Sequence, residues 1–305
     1  MAEFSIIDTY FNRKSPHSVD LGVGDDSALL TPPPQQQLVI CADTLVAGRH
    51  FPLDTSPHAI GWKSVAVNLS DIAAMGAKPQ SILLALSLPQ IDHDWLKGFS
   101  QGLYDCCDQF GVSLIGGDTT QSPHLTISVT ALGWVDIGQA VTRSAAQVGD
   151  LICVSGTVGD AAFALQHLGH SLQQRLDYPT PRCELGQALK GLAHSMIDVS
   201  DGLAQDLGHI LKASHVGATL QLDQLPINTT LQDLTREQQW QYALAGGDDY
   251  ELCFTISPQN YEKLLQQQNH SSISVIGKID AESGLRFQQN GLDHSLQFNG
   301  YQHFA

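Results

Sequence analysis

The feature that most restricts the fold of this chain is the regular alternation of apolar, β-rich runs with segments of helical periodicity. Such alternation is typical of α/β or α+β proteins, and it argues against a helical bundle or a β-sandwich. The length of 305 residues corresponds to about two domains of ~150 residues each. The sequence therefore predicts two mixed domains, each large enough to bury its own core.

The predicted elements fall into two groups, separated by a break at 138–149. Before the break, predicted strands span 37–42, 80–88, 112–116 and 125–135, and predicted helices span 4–11, 57–75 and 92–110. After the break, predicted strands span 151–155, 218–222, 252–256 and 273–279, and predicted helices span 159–168, 182–194, 203–214 and 259–268. We therefore predict an N-terminal domain over 1–137 and a C-terminal α/β domain over 149–305.

Charge and hydropathy exclude several classes of protein. Acidic residues outnumber basic ones 31 to 15, and a formal net charge of -16 repels nucleic-acid phosphates and anionic lipids. Apolar runs such as 82–86 are far shorter than the ~20 residues of a membrane helix, and the first residues lack the pattern of an export signal. We therefore expect a cytoplasmic protein that binds neither nucleic acid nor membrane.

The acidic residues are unevenly divided, with 25 Asp and 6 Glu. Asp favours turns, helix caps and metal sites, whereas Glu favours helix interiors. Many of the aspartates lie beside Gly, Ser or Thr in six short clusters, at 22–27, 41–44, 68–71, 116–120, 198–202 and 246–251. Two carboxylates 4 Å apart repel by ~4 kcal/mol at an effective dielectric of 20. If these clusters converge in space, they must converge on cations.

The predicted helix at 57–75 contains one of these clusters. An apolar stripe follows one side of the helix, and Ser64, Asn68 and Asp71 lie close together on the opposite side, among further apolar residues. No Lys or Arg lies three or four residues from Asp71 along the helix. A half-buried carboxylate needs a compensating charge, so a metal or ligand role and a structural role for Asp71 are both open.

Short Asp side chains with adjacent hydroxyl and carbonyl oxygens suit Mg²⁺, which proteins commonly share with substrate phosphates. The sequence contains no P-loop, no dinucleotide-binding fingerprint and no protein-kinase motif set. Each cluster alone also has a structural explanation, with Asp118 in a turn, Ser200 or Asp201 as a helix cap, and Asp25 and Asp26 in a surface loop. The six cysteines show no zinc pattern, and we expect reduced, mostly buried thiols.

Taken in order, the clusters resemble one known family over nearly the whole chain. They read Gly22-Val-Gly24-Asp25-Asp26, Asp43-Thr44 followed by His50-Phe51, Asn68-Leu-Ser-Asp71, Gly116-Gly117-Asp118-Thr119-Thr120, Thr142-Arg143-Ser144, Asp198-Val-Ser200-Asp201-Gly202 and Gly246-Gly247-Asp248-Asp249-Tyr250-Glu251. This order resembles the thiamine-monophosphate kinase family of the aminoimidazole ribonucleotide synthetase-like superfamily. The resemblance implies a two-domain α/β (α+β) fold, in which the N-terminal domain contributes strands to a homodimer interface and binds ATP and Mg²⁺, and the C-terminal domain completes the active-site cleft.

The resemblance also implies ATP-dependent phosphorylation of thiamine monophosphate to thiamine diphosphate, with ATP as co-substrate and several Mg²⁺ ions as cofactors. By motif match, the implied metal ligands are Asp26, Cys41, Ala42, Asp43, Asp71, Asp118, Asp198 and Asp201, of which Cys41 and Ala42 offer backbone oxygens. The implied ATP-binding residues are Tyr104, Gly117, Asp118, Arg143 and Ser200. The implied thiamine phosphate site contains His50, Asp248 and Tyr301.

The chemistry of this reaction agrees with the residues available. The attacking oxygen belongs to a phosphate whose second pKa is near 6, so no catalytic general base is expected. The transfer then depends on positioning and on metal ions that neutralise charge, because the chain has only 15 Lys and Arg residues. The chain departs from the family pattern at three positions: Asp248 stands where Glu is usual, and Cys41 and Ala42 replace hydroxyl residues.

Two alternative functions remain open at this point. One is another ATP-using member of the superfamily, although selenophosphate synthetase is disfavoured because no Cys lies in the first forty residues, and the hydrogenase-maturation member because the sequence given ends without Cys. The other is a catalytically silent protein that binds a nucleotide or a divalent cation. Retention of all six candidate metal aspartates argues against the silent protein, and an activity measurement would separate these functions.

Overall fold

The computed structural model of this chain describes residues 2–13, 19–267 and 272–296. The chain divides into two compact units, here called unit 1 (Met1–Ile72 and Ala77–Gly138) and unit 2 (Ala73–Gly76 and Gln139–Ala305). Each unit combines helices with one β-sheet, which confirms the predicted mixed α/β class. Over the described ranges, no helix has both the length and the apolar character that crossing a membrane requires.

Unit 1 contains a four-stranded sheet in the order β1-β4-β2-β3. Its strands are β1 (Gln36–Val46), β2 (Lys78–Leu88), β3 (Ser113–Gln121) and β4 (Thr126–Asp136). Strands β2 and β3 are parallel, and the other neighbours are antiparallel. Strand β1 lies at one edge, where Leu38 and Ile40 are 43% and 58% exposed. This edge therefore presents apolar side chains to the surroundings of unit 1.

The helices of unit 1 are α1 (Ala2–Ile6), a π-helical turn (Ile7–Phe11), α2 (Pro57–Ala74) and α3 (His93–Phe110). Helix α3 begins where the Asp92 side chain accepts hydrogen bonds from the backbone of Asp94 and Trp95, as an N-cap does. Helix α2 is buried on nearly all sides, including its polar side, since Ser64 and Asn68 are 1% and 0% exposed. The polar cluster of α2 is therefore part of the interior rather than a solvated face.

Unit 2 contains a seven-stranded sheet in the order β11-β10-β7-β9-β5-β8-β6. Its strands are β5 (Leu151–Ser155), β6 (Ala193–Asp198), β7 (Gly217–Gln221), β8 (Leu252–Ile256), β9 (Ile273–Asp280), β10 (Gly284–Gln289) and β11 (Leu292–His294). The core includes fully buried residues of this sheet, such as Ile152 and Ile276, packed with Leu207 and Ile210. The candidate site residues of unit 2 that the structure describes lie at the end of strand β6 or in loops between these elements.

The helices of unit 2 are α4 (Asp160–Gln166), α5 (Gln173–Asp177), α6 (Cys183–Ala188), α7 (Leu203–Ser214), α8 (Arg236–Ala245) and α9 (Pro258–Gln266). The prediction of one helix over 182–194 is wrong. Helix α6 ends at Ala188, Gly191 adopts a positive φ of 71°, and β6 begins at Ala193. Strand β6 then carries the chain to Asp198, the first residue of a candidate cluster.

Candidate active site

In unit 1, Asn68 connects helix α2 to strand β1. Its Oδ1 accepts a hydrogen bond from the backbone N of Asp43 at 2.9 Å, and its Nδ2 donates to the carbonyl oxygen of Ser64 at 3.0 Å. The Cys41 thiol donates to the carbonyl oxygen of Asn68 at 3.3 Å. Asn68 is fully buried, so these bonds fix the Cys41–Asp43 segment against the helix. Sequence reasoning placed Asn68 in a cluster but assigned it no role.

Two candidate metal carboxylates lie around the Cys41 thiol. Burial raises the pKa of this thiol, and so do the charges of Asp71 and Asp43 and a hydrogen bond with Asp71. Asp71 follows Asn68 by three residues, which places both on one side of α2. The structure therefore brings Asp43 and Asp71 together at the junction of α2 and β1. Their hard oxygen atoms are the donor type that Mg²⁺ prefers, so these residues fit the implied ion.

Strand β3 places Gly117 and Asp118 at the other edge of the same sheet. Asp118 pairs with Ala85 of β2, which lies opposite Ser128 of β4, and Ser128 pairs with Thr44 of β1. Three strand spacings of ~4.8 Å thus separate Asp118 from β1, or ~14 Å in all. Within unit 1, the structure does not bring Asp118 beside Asp43. Gly117 has a φ of 149°, and a Cβ there would lie 1.8 Å from the carbonyl oxygen of Leu84, so glycine is required.

Three further candidates of unit 1 have different surroundings. Asp26 is exposed in a loop closed by the bridge between Leu21 and Leu29. The Tyr104 hydroxyl donates to the carbonyl oxygen of Phe11 at 2.9 Å, which gives this side chain a structural contact. Ala42 is exposed on β1.

His50 lies shortly after the end of β1. Its Nδ1 accepts a hydrogen bond from the backbone N of Val46 at 3.0 Å, and its own backbone N donates to the carbonyl oxygen of Val46. An Nδ1 atom that accepts must have its lone pair available, so the neutral ring carries its proton on Nε2. This candidate substrate contact therefore presents Nε2 as a donor.

In unit 2, the segment 198–202 follows β6 and leads into α7. Asp198 is buried at 4% exposure, whereas Ser200 and Asp201 are half-buried. The Asp206 carboxylate, in the first turn of α7, accepts hydrogen bonds from the backbone N atoms of Ser200, Asp201 and Gly202 at 3.0, 3.1 and 3.2 Å. Burial and the charge of Asp198 raise the pKa of Asp206 to about 7. Sequence reasoning missed Asp206.

The candidate Asp248 lies directly against this segment. Its backbone N donates to the carbonyl oxygen of Ser200 at 2.9 Å, and its carboxylate accepts from the Tyr250 hydroxyl at 2.9 Å. A Cβ at Gly247 would lie 2.3 Å from the Ser200 carbonyl oxygen, so the close approach of the two backbones requires glycine. The structure therefore brings Ser200, Asp201 and Asp248 together. Arg143 is exposed, and its carbonyl oxygen accepts from Ser214.

The two acids that follow Asp248 along the chain have structural roles instead. Asp249 is buried, and its carboxylate accepts hydrogen bonds from the backbone N atoms of Gly159 and Ala161 at the start of α4. Burial raises the pKa of Asp249 well above its ordinary value. Glu251 is fully buried and pairs with Arg175 at 2.7 Å and with Arg182 at 2.5 Å. The acidic cluster at 246–251 therefore contains one half-buried candidate ligand, Asp248, and two buried structural acids, Asp249 and Glu251.

Three observations complete the site. Tyr301 lies outside the described residues. No group of three His, Cys, Asp or Glu side chains that could hold a metal ion occurs within 2–13, 19–267 and 272–296. All six cysteines are free, with Cys41 half-buried and the other five buried, which confirms the expectation of mostly buried thiols.

Comparison with known protein families matches both parts of the chain. Residues 24–135 match the N-terminal domain of AIR synthase related proteins, and residues 147–290 match the C-terminal domain. The first matched range falls within the outer sequence limits of unit 1, and the second falls within those of unit 2. The chain is therefore similar to this group of proteins over most of its length.

Individual proteins give a narrower similarity. The thiamine-monophosphate kinase of Escherichia coli O157:H7 is 46% identical over 320 aligned positions, which cover 99% of this chain and 98% of that protein. A crystal structure of thiamine-monophosphate kinase from Stenotrophomonas maltophilia K279a has a TM-score of 0.84 and 45% identity, covering 94% of this chain and 95% of that one. The structure of AaThiL complexed with AMPPCP and TMP has a TM-score of 0.77 and 28% identity, covering 90% of this chain and 89% of that chain.

Proposed function

Because this chain belongs to the thiamine-monophosphate kinase family, we propose that it transfers the terminal phosphoryl group of ATP to thiamine monophosphate, releasing ADP and thiamine diphosphate. The observation that carries this function is the 46% identity to a curated kinase across 99% of the chain. A related structure contains TMP together with AMPPCP, an ATP analogue. The reaction class is thus a phosphotransfer in which a phosphate group is the acceptor.

We propose that the transfer is direct and in line, without a protein general base. An oxygen of the substrate phosphate is the nucleophile, and this group is already largely ionised at neutral pH because its second pKa is near 6. The residues of the chain are then needed to bind and orient two phosphate-bearing molecules rather than to remove a proton. This role suits side chains that are held in place by buried partners.

We propose that several Mg²⁺ ions would neutralise the phosphate charge that the protein itself cannot balance. The residues that would hold these ions are Asp26, Asp43, Asp71, Asp118, Asp198 and Asp201, together with the backbone oxygens of Cys41 and Ala42. The chain contributes only 15 Lys and Arg residues against 31 acids. The pair Asp43 and Asp71 supports this assignment in unit 1. Asn68 binds the backbone N of Asp43 and thereby fixes Asp43 against helix α2, which carries Asp71.

The remaining candidates would bind the two substrates. In unit 2, Ser200 would bind ATP and Asp248 would belong to the thiamine phosphate site. The backbone N of Asp248 donates a hydrogen bond to the carbonyl oxygen of Ser200. In unit 1, the Nε2 donor of His50 suits a phosphate or ring acceptor of thiamine monophosphate. Arg143, Gly117, Tyr104 and Tyr301 complete the proposed contacts.

The direct test is incubation of purified protein with ATP, Mg²⁺ and thiamine monophosphate, with ADP and thiamine diphosphate measured together. Thiamine and an aminoimidazole precursor serve as control acceptors, and EDTA removes divalent ions. We expect equal formation of both products, abolished by EDTA. ADP without thiamine diphosphate would indicate another acceptor, and no ADP with any acceptor would favour a silent binding protein.

We propose further that unit 1 forms a homodimer through strand β1. Leu38 and Ile40 are exposed apolar residues on a strand that pairs only with β4 in the described part of the chain. Exposed apolar residues on a sheet edge are a common interface signal. Ile40→Lys should therefore convert a dimer to a monomer in analytical ultracentrifugation, whereas Leu53→Lys, at an 83% exposed position outside the sheet, should not.

We also place the protein in the cytoplasm, where ATP is available. Six free cysteines are consistent with a reducing compartment, since disulfides persist mainly in oxidising ones.

A further inference from the structure

The Asp206 carboxylate organises a segment that sequence reasoning treated as a set of separate ligands. A single oxygen, Oδ2, accepts from three consecutive backbone N atoms, those of Ser200, Asp201 and Gly202, at 3.0 to 3.2 Å. Asp206 is 3% exposed, so water does not compete for this oxygen. The backbone N of Asp206 in turn donates to the carbonyl oxygen of Gly202 at 3.0 Å. Residue 206 therefore holds the segment from both its backbone and its side chain.

The opposite side of this segment holds Asp248. The carbonyl oxygen of Ser200 accepts from the backbone N of Asp248 at 2.9 Å, and that of Val199 accepts from Tyr250 at 2.8 Å. Asp248 also has a positive φ of 68°, a conformation that a non-glycine residue keeps only when its surroundings enforce it. A chain of hydrogen bonds thus runs from Asp206 through Ser200 to Asp248.

We propose that Asp206 is a positioning residue for both substrates, acting as a buried hydrogen-bond acceptor that fixes Ser200 and Asp201 directly and Asp248 through the Ser200 carbonyl oxygen. The proposal rests on the function proposed above, in which Ser200 binds ATP, Asp201 binds Mg²⁺ and Asp248 belongs to the thiamine phosphate site. Asp206 itself touches neither substrate in this account. Its loss affects the binding parameters of both.

The test compares Asp206→Ala with Asp206→Asn. The alanine variant removes the acceptor, whereas the asparagine Oδ1 accepts the same three hydrogen bonds without a charge. We expect kcat/KM for ATP and for thiamine monophosphate to fall about 10²-fold in Asp206→Ala, as a misplaced site does, and to stay within about threefold of wild type in Asp206→Asn. Asp150→Ala is the matched control, since Asp150 is also 3% exposed and accepts a backbone hydrogen bond, from Gln147 at 2.8 Å.

The outcomes separate positioning from stability and from charge. Activity lost equally in Asp206→Asn and Asp206→Ala would overturn the proposal, since the charge and not the acceptor would then matter. An equal loss of kcat/KM in Asp150→Ala would overturn the proposal as well, because removal of any buried hydrogen-bond acceptor would then lower activity to the same extent. Amide hydrogen exchange of Ser200, Asp201 and Gly202 tests the hydrogen bonds without substrate: we expect faster exchange in Asp206→Ala only. If wild type produces no thiamine diphosphate, the proposed function fails, and the exchange result still stands or fails alone.

Discussion

The acidic clusters of unit 1 and unit 2 look alike in the sequence but are built differently. In unit 1, Asp43 and Asp71 are half-buried side chains around one thiol, and the buried polar residue that organises them is the neutral Asn68. In unit 2, the organising residues are themselves acids: Asp206, Asp249 and Glu251 are buried and bind backbone N–H groups or arginines. An acid in or near these clusters can therefore be part of the scaffold rather than a proposed ligand, and burial alone does not distinguish the two, because the proposed ligand Asp198 is also buried.

The largest effect should come from the ligand type of aspartate. Asp71→Asn keeps the size of the side chain and removes a charge proposed to bind Mg²⁺, so we expect kcat to fall about 10³-fold, equivalent to ~4 kcal/mol, with little change in thermal stability. Steady-state kinetics and thermal melting measure the two properties. Asp118→Asn should behave in the same way, and the exposed Asp136→Asn on β4 is the control. Unchanged turnover in both Asp71→Asn and Asp118→Asn would remove the metal role.

The scaffold type should show the opposite result. Glu251→Ala leaves Arg175 and Arg182 without their buried carboxylate, and we expect the free energy of unfolding to fall by ~3 kcal/mol, the cost of breaking a buried ion pair. Urea denaturation measures this change. If Glu251→Ala instead kept wild-type stability, the contrast between scaffold and ligand acids in unit 2 would be wrong.

The pH dependence of stability sharpens the comparison further. The pKa of Asp249 is raised in the folded protein, so the folded state holds a proton that the unfolded state releases above pH ~4. Stability from this group is complete below pH ~4 and is lost as pH rises towards the folded pKa, by up to ~1.4 kcal/mol per pH unit. Asp249→Asn removes this loss. Denaturation at a series of pH values above ~4 should show the variant gaining on wild type until pH exceeds the folded pKa of Asp249, and parallel stability curves would contradict this expectation.

The smallest effect should come from an exposed acid in unit 1. Asp108 pairs with Arg13 at 2.9 Å, but the two side chains are 45% and 46% exposed. Asp108→Asn should lower the free energy of unfolding by less than ~1 kcal/mol, because solvent screens such a pair. Urea denaturation beside Glu251→Ala makes the comparison direct. A loss as large as that of Glu251→Ala would show that burial does not set the difference.

Elements with a clear local pattern could be predicted from the sequence, and those with a misleading pattern could not. The predicted limits of α7 and β8 agree with the structure to the residue. The predicted helix at 182–194 is wrong because Leu185, Leu189, Leu192 and Met196 repeat at helical spacing although the chain changes to a strand at Ala193. Pairing with β8, a partner distant in the sequence, outweighs this local periodicity.

The residue types of the site could be predicted, but not which member of a cluster performs which role. Asp248 and Asp249 are adjacent, yet one is half-buried and the other fully buried. The positive φ angles of Asp248 and Tyr250, 68° and 52°, turn the chain between them, and no local pattern predicts such angles for these residue types. Asp206 was missed because its partners are backbone atoms, which carry no sequence signal.

The distribution of the cysteines has a practical consequence. Each unit contains three: Cys41, Cys106 and Cys107 in unit 1, and Cys153, Cys183 and Cys253 in unit 2. Burial raises the pKa of the Cys41, Cys107, Cys153 and Cys253 thiols, and a protonated thiol reacts slowly with alkylating reagents. The rate at which each of the five buried cysteines is labelled in the native protein therefore reports how often its own unit opens. Because both units contain buried thiols, the opening of unit 1 and the opening of unit 2 can be measured separately in one labelling experiment.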